Sequence, residues 1–397
     1  MSQTQAVNVA DIAPLVNRDR VTEILRELVR IPSENPPGNE LEVARLVQEY
    51  CEQAGLEVVV HEVERNRPNV IARLRAGDGP TVAFCTHLDV VPAGDLASWV
   101  HAPFDAHIGD GRLHGRGASD AKGPLAAALE AVVALRALGA ELVGTLELVL
   151  VSDEEAMGFK GAGHLVAEKL VRPDLAIVGE PTSLRVVHAQ RGAYWFEITT
   201  HGRAAHGSAP ERGASAIRHM AEIIVHLEET LPKMSHRVLG GPSINVGTIR
   251  GGSKVNIVPA RCTIEVDRRT IPGESPEQVE ASIAAAVDLA RESFPDLDAT
   301  VNLALSAQPF EVAEDSRIVT EVTRAAAEVS GAAAELMGFR GASDARFLAE
   351  AGAEVVVCGP GQIELAHTSD ESIDLEELER GARLYALAFA RLLAPPH

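Results

Sequence analysis

A chain of 397 residues with 46% apolar and 23% charged residues can bury a full core, which excludes a disordered polymer and points to more than one domain. Its 57 acidic against 36 basic residues give a formal charge of −21, which repels phosphate backbones and anionic lipid. With aromatics at only 4%, a stacking surface for single-stranded nucleic acid is also excluded.

The N-terminal MSQTQAVNVADIAPLV lacks the basic-then-apolar order of a secretory signal, and no window reaches the length of a membrane span. Residues 17–31 have helical spacing. IPSENPPGN at 31–39 then interrupts with three prolines. Leu41, Ala44, Val47, Cys51 and Ala54 share one face of a second helix, with Gly55 as its stop. EVVV at 57–60 reads as a strand. Four apolar runs follow, each ending in polar residues: TVAFCTHLD at 81–89, TLELVLVSDEE at 145–155, LAIVGEP at 175–181 and EVVVCGPG at 354–361. Unbroken runs of this kind fit strands buried on both faces of a mostly parallel sheet. GPLAAALEAVVALRALG at 123–139 reads as a helix, with Pro124 at an early position.

Between 192 and 306 the rhythm changes to strand, helix, strand, strand, helix, strand, the order of a ferredoxin-like unit. The expected fold is therefore an α/β catalytic domain in two parts, 1–191 and 307–397, split by an inserted β-α-β-β-α-β domain at 192–306. Cys51, Cys85, Cys262 and Cys358 have no CxxC spacing. Buried thiols in a reducing cytoplasm are expected, with neither a disulfide set nor a thiolate cluster.

Ligands of an open α/β sheet bind beyond the carboxyl ends of its strands. His87 and Asp89 follow the first run, Asp153, Glu154 and Glu155 the second, Glu180 the third, and His367 lies beyond the fourth. Asp120 sits in GRGASDAKG just before a helix. Imidazoles and carboxylates without thiolate suit Zn²⁺, Mn²⁺ or Co²⁺. Crowded carboxylates need cations, and Asp120 could bridge two of them. Asp89 is expected to orient His87 by taking its second ring proton. Of the adjacent Glu154 and Glu155, one can ligate while the other acts as general base. His101, His107, His114, His164 and His188 are expected to be structural or exposed. There is no HExxH, no GxSxG around Ser119 and no GxxxxGK[ST] loop.

The stretches THLDVVPAGD, GRLHGRGASDAKG, SDEEAMGFKGA, VGEPT, GRAAHGSAPERGASAI, KVNIVPA, DRRTIPG, GASDARF and AHTSDESI span residues 86–373 in this order. Together they resemble the M20-type zinc metallohydrolases, the family of aminoacylases, deacetylases and carboxypeptidases that includes acetylornithine deacetylase and succinyl-diaminopimelate desuccinylase. The resemblance implies two divalent ions per subunit, zinc before cobalt or manganese. It implies His87 and Glu180 on one ion, Glu155 and His367 on the other, and Asp120 between them. Glu154 would be the base, Asp89 would orient His87, and the bond after Asp120 would be cis. The insert would be a lid that also carries a homodimer contact. From it His206 would stabilise the oxyanion, often in the partner's site, while Asn256 and Arg269 bind substrate. Gly341 and Ser343 would lie near the substrate carboxylate, with Arg346 assisting.

The resemblance thus implies hydrolysis of an N-acyl amino acid. AHTSDES and CGPGQIE lean toward acetylornithine deacetylases, and GASDARF also suits the desuccinylases. Other N-acyl-amino-acid hydrolases, carboxypeptidases and dipeptidases are the alternatives within the family. A non-catalytic binding protein on the same fold is the alternative of another class.

Overall fold

The computed structural model describes residues 7–395; the first six residues of the N-terminal segment and the last two of the chain lie outside it. The chain folds as two compact units. One takes in the chain up to His188, Val312–Met337 and the chain from Ser343; the other comprises Ala189–Glu311 and Gly338–Ala342.

In the first unit the main sheet runs, from its edge inward, Glu57–Glu64, Arg67–Arg75, Thr145–Val151, Thr81–His87, Leu175–Val178 and Glu354–Val357. The last four are mutually parallel and almost wholly buried, as their unbroken apolar runs require. The first two are antiparallel additions. The sheet therefore has a parallel core with antiparallel additions. Only Arg65 and Asn66 separate Glu64 from Arg67, with Asn66 in the left-handed region (φ 64°), and so short a connection can only reverse the chain. The strand Arg67–Arg75 is hidden in the sequence because Pro68 and three arginines break its apolar pattern.

The helix Lys122–Leu138 is buried from Lys122 through Val132 and again at Ala134 and Leu135. Pro124 sits in its first turn, and Gly139 (φ 63°) ends it. It packs against Leu375–Leu392, whose Tyr385 ring meets Phe84 of the central strand edge-on at 4.8 Å. All four cysteines are buried and free. Among the described residues, no helix is long and apolar enough to cross a membrane.

The second unit is an antiparallel sheet in the order Ser243–Gly251, Arg261–Thr270, Gly192–His201, Asp298–Ala307. Taken in chain order the strands are second, third, first and fourth. The helices Ala216–Leu227 and Pro276–Ser293 fall between the first and second strands and between the third and fourth. Phe196, Ile198, Ile264 and Val266 form its core with Met220 and Ile223 of the first helix and Ile283 and Val287 of the second.

Candidate metal centre

Three central strands deliver acidic or imidazole groups at one edge because they are parallel, so their carboxyl ends coincide. Thr81–His87 ends on His87 itself. Thr145–Val151 is followed by Glu154 and Glu155, and Leu175–Val178 by Glu180. Asp120 arrives from the loop ahead of Lys122–Leu138, and its bond to Ala121 is cis. His367 follows a short 3-10 turn, Ile363–Leu365.

These groups form a continuous chain. His87 Nε2 lies 3.2 Å from Asp120 Oδ1. The other Asp120 oxygen lies 3.3 Å from His367 Nε2, which is 3.2 Å from Glu155 Oε2. Each oxygen of one carboxylate thus faces a different imidazole. His87, Asp120 and Glu155 bring ligand atoms within 4.8 Å of one another, so the three can hold a metal ion. Glu180 is buried at the same edge, and its Oε1 has no hydrogen-bond partner. An orphaned carboxylate oxygen beside imidazoles and carboxylates fits a divalent cation.

The electrostatics say the same. Burial, followed by the repulsion of Glu180, pushes the Glu154 carboxyl well above its ordinary range; Glu180 is likewise raised chiefly by burial. Burial would raise Asp120 too, but hydrogen bonds from His367 and His87 outweigh it and hold Asp120 below the usual carboxylate range. His367 is pushed up to about 10 by Asp120 and Glu155. Protons here stand in for the positive charge that the site demands.

Residues 83–391 match Peptidase family M20/M25/M40. The chain belongs to this family. It is 29% identical over 371 residues to an acetylornithine deacetylase of Proteus mirabilis, covering 90% of this chain and 92% of that protein. The aminopeptidase PepT of Bacillus cereus superposes with a TM-score of 0.79 at 25% identity, covering 95% of this chain and 99% of that one. A metallo-carboxypeptidase of the family from Sulfolobus solfataricus gives 0.78 at 20% identity over 94% and 99%, which shows the shared fold. This M20 chain is thus a metal-dependent hydrolase of amide or peptide bonds.

Around the ligands, the M20 chain differs from expectation at Asp89. The Nδ1–H of His87 donates to the backbone carbonyl of Asp89 at 2.9 Å, while the Asp89 carboxylate is 3.6 Å away. That carboxylate is occupied by Asn35 Nδ2 at 2.8 Å and by the backbone N–H groups of Glu154 and Glu155, both at 3.2 Å. Asp89 therefore meets His87 chiefly through its main chain, with its carboxylate close enough to favour the charged ring, and fixes the Glu154–Glu155 segment through its side chain. Asn35, in the proline-rich break, carries no signal in a single sequence.

Glu371 is a second residue that sequence reasoning missed, although it lies in AHTSDESI. Fully buried, its Oε1 accepts the N–H groups of Ser119 and Asp120, both at 3.0 Å, and Oε2 is paired with Arg116. It anchors the loop that presents Asp120. We expect Glu371→Gln, which turns an NH₂ group or a weaker acceptor toward these donors, to lower metal affinity roughly 10- to 100-fold. Titration of the metal-free variant against a competing chelator checks this; an unchanged affinity would rule the anchor out.

Among the expected substrate residues, Ser343 and Arg346 are buried in the first unit. Arg346 is committed to the Met157 carbonyl and stacks 4.2 Å over the Phe347 ring. Such packing steadies the turn after Glu155. Gly341, His206, Asn256 and Arg269 belong to the second unit. His206 and Asn256 are neighbours there, with Gly207 N–H donating to the Asn256 carbonyl at 2.8 Å. Both are exposed. Arg269 is partly exposed beside Asp267, whereas Arg268 is fully buried against Glu274. Only the first of the two arginines is open to a ligand.

Proposed function

We propose that this M20 hydrolase binds two divalent ions and removes the acyl group from an N-acyl amino acid, with N-acetylornithine the preferred substrate. The observation that carries the two-ion reading is Asp120, whose two oxygens face two different imidazoles. His87 and Glu180 would hold one ion, Glu155 and His367 the other, and Asp120 both. Zinc is preferred for this nitrogen and oxygen set, with cobalt or manganese as substitutes. When bound, the ions supply Lewis acidity and make water a better nucleophile at neutral pH.

This chain's own residues would do the rest. His87 presents Nε2 as a lone pair because Nδ1–H is held by the Asp89 carbonyl. Glu154, free of the His–Asp–His–Glu chain, takes the proton of the attacking water and returns it to the leaving amine. His206 would donate to the oxyanion. Its Nδ1 is engaged by Ser208 Oγ at 2.7 Å, which leaves Nε2 as the nitrogen open to substrate. Arg269 would grip the substrate carboxylate and Asn256 would support it, with Gly341 and Ser343 nearby.

We also read the second unit as a ferredoxin-like lid, supported by its strand order, and as the seat of a homodimer. Its helix Ala216–Leu227 exposes Ile217 and Val225, and Ile249 and Val255 are exposed on the same unit. A sedimentation measurement that finds only monomer removes the dimer.

The acetylornithine preference rests on the similarity to the Proteus mirabilis deacetylase. A panel of N-acetylornithine, N-succinyl-diaminopimelate, N-acetylmethionine and simple dipeptides, assayed with Zn²⁺ and with Co²⁺, tests it. The highest kcat/KM is expected for N-acetylornithine. A larger value for a dipeptide would make the chain a peptidase.

Metal uptake should be proton-coupled. In the metal-free protein His367 keeps its proton up to about pH 10, and that proton must leave before Nε2 can ligate. A raised imidazole pKa binds its proton more tightly in the folded than in the unfolded chain. The ion pairs with Asp120 and Glu155 therefore stabilise the metal-free protein fully below the ordinary histidine value, and the benefit disappears as pH rises through about 10. Metal affinity runs the other way. It should rise about tenfold per pH unit for each displaced proton between pH 6 and 8. A pH-independent affinity in chelator competition contradicts this.

A further inference from the structure

Three histidines outside the metal centre come together on the small sheet of the first unit. His107 and His114 are direct cross-strand partners in the hairpin His107–Gly109 and Arg112–His114. His101 approaches from the preceding loop and stacks on His107, ring centroids 3.8 Å apart and planes 17° from parallel. His114 lies 5.2 Å from His101 and 6.2 Å from His107. His107 is exposed and the other two are half-buried, so solvent reaches the group. No sequence spacing announces it, because His101 becomes a neighbour only when the hairpin folds back on its own approach loop.

We propose that His101, His107 and His114 form an accessory site for one borderline divalent transition ion, such as Zn²⁺, Ni²⁺ or Cu²⁺.

Imidazole is the ligand these ions share. With metal–nitrogen bonds of about 2 Å, two rings on one tetrahedral ion have centroids ~5 Å apart. The separations of His114 from the other two rings are near that value, whereas the stacked pair at 3.8 Å must part and turn before the three nitrogens converge on one ion. One ring is already prepared for the role. His114 is hydrogen-bonded to the Gly109 carbonyl, which fixes one ring nitrogen as donor and leaves the other as a lone pair. Burial, and then the neighbouring His101, Arg112 and His107, favours the neutral form of His114, which is the ligating form. The hairpin is also anchored. Ser372 pairs with His114 on the other side, and Arg112 donates to the Ser372 hydroxyl and carbonyl. The strand bearing His114 runs directly into the loop of Asp120.

The test uses untagged enzyme already loaded with its catalytic metal. Wild type, the double variant His107→Ala/His114→Ala and the single variant His101→Ala are dialysed to equilibrium against Zn²⁺, and metal per chain is measured by elemental analysis. Wild type should retain one equivalent more than the double variant while hydrolysing N-acyl amino acids at the same rate. In parallel, Cu²⁺ added to the holoenzyme should give an electron paramagnetic resonance spectrum with imidazole nitrogen coupling that is lost in both variants. Equal metal content in wild type and double variant, with equal turnover, overturns the proposal and leaves the hydrolase assignment untouched. If the double variant misfolds, His101→Ala decides. An unchanged Cu²⁺ spectrum in that variant also overturns the site.

Discussion

Replacing Glu154 by Ala is expected to abolish measurable turnover while leaving the metal content of the enzyme intact. A positioned general base contributes about 10²- to 10⁴-fold, and the carboxylates that meet the two imidazoles are not free to replace it. Asp120 and Glu155 are bound to His87 and His367, and Asp89 is engaged by Asn35 and two backbone N–H groups. Glu180 is buried and would be committed to a cation. The segment itself should not move, because its main chain is held by Asp89 and that contact does not involve the Glu154 side chain. The adjacent Glu155→Ala makes the contrast, since it should lose metal as well as rate. Metal analysis and kcat on both variants separate the two roles. Near-normal kcat in the Glu154 variant would show that the base lies elsewhere.

The second large effect belongs to Asp120→Asn. The substitution keeps the shape and removes the charge, and an amide offers only one ligating oxygen where the carboxylate has two. Because the two oxygens face His87 and His367 separately, both halves of the site should weaken at once. The loss of metal affinity should exceed the roughly 10- to 100-fold expected for an outer partner such as Glu371. Turnover should fall with occupancy and recover in part at high metal concentration. A variant that retains both its metal through dialysis and its rate would exclude a bridging carboxylate. Comparison with Glu371→Gln is informative, because that variant keeps every ligand and disturbs only the loop that presents one of them.

Much of this protein can be read from its sequence, for a physical reason. Strands such as TVAFCTH and TLELVLV are buried on both faces, so their apolar character is unbroken and their ends are sharp. The polar residues that follow therefore stand out, and parallel pairing sends them all to one edge. His87, Glu154, Glu155 and Glu180 stood out as candidates on those grounds, and Asp120 and His367 by their places just before a helix and beyond the fourth run. The strand Arg67–Arg75 was not, since Arg67 and Arg73 are placed there to pair with buried Glu40 and Glu147 and so break the pattern. Asn35, Arg116 and Glu371 were illegible as site residues because each acts on a partner tens to hundreds of positions away.

The sequence by itself determined the ligand chemistry, nitrogen and oxygen without thiolate, and an insert with its own strand and helix rhythm. Tertiary structure alone decided how those groups are held. It set the Asp89 carbonyl, closer than its carboxylate, against His87, and it turned the two oxygens of Asp120 toward different imidazoles. It also withdrew Arg346 into a buried stack and gathered three histidines on a hairpin. Ligand identity follows from side-chain chemistry, which is local and written residue by residue. Orientation follows from hydrogen bonds and packing between distant segments, which exist only once the chain has closed on itself.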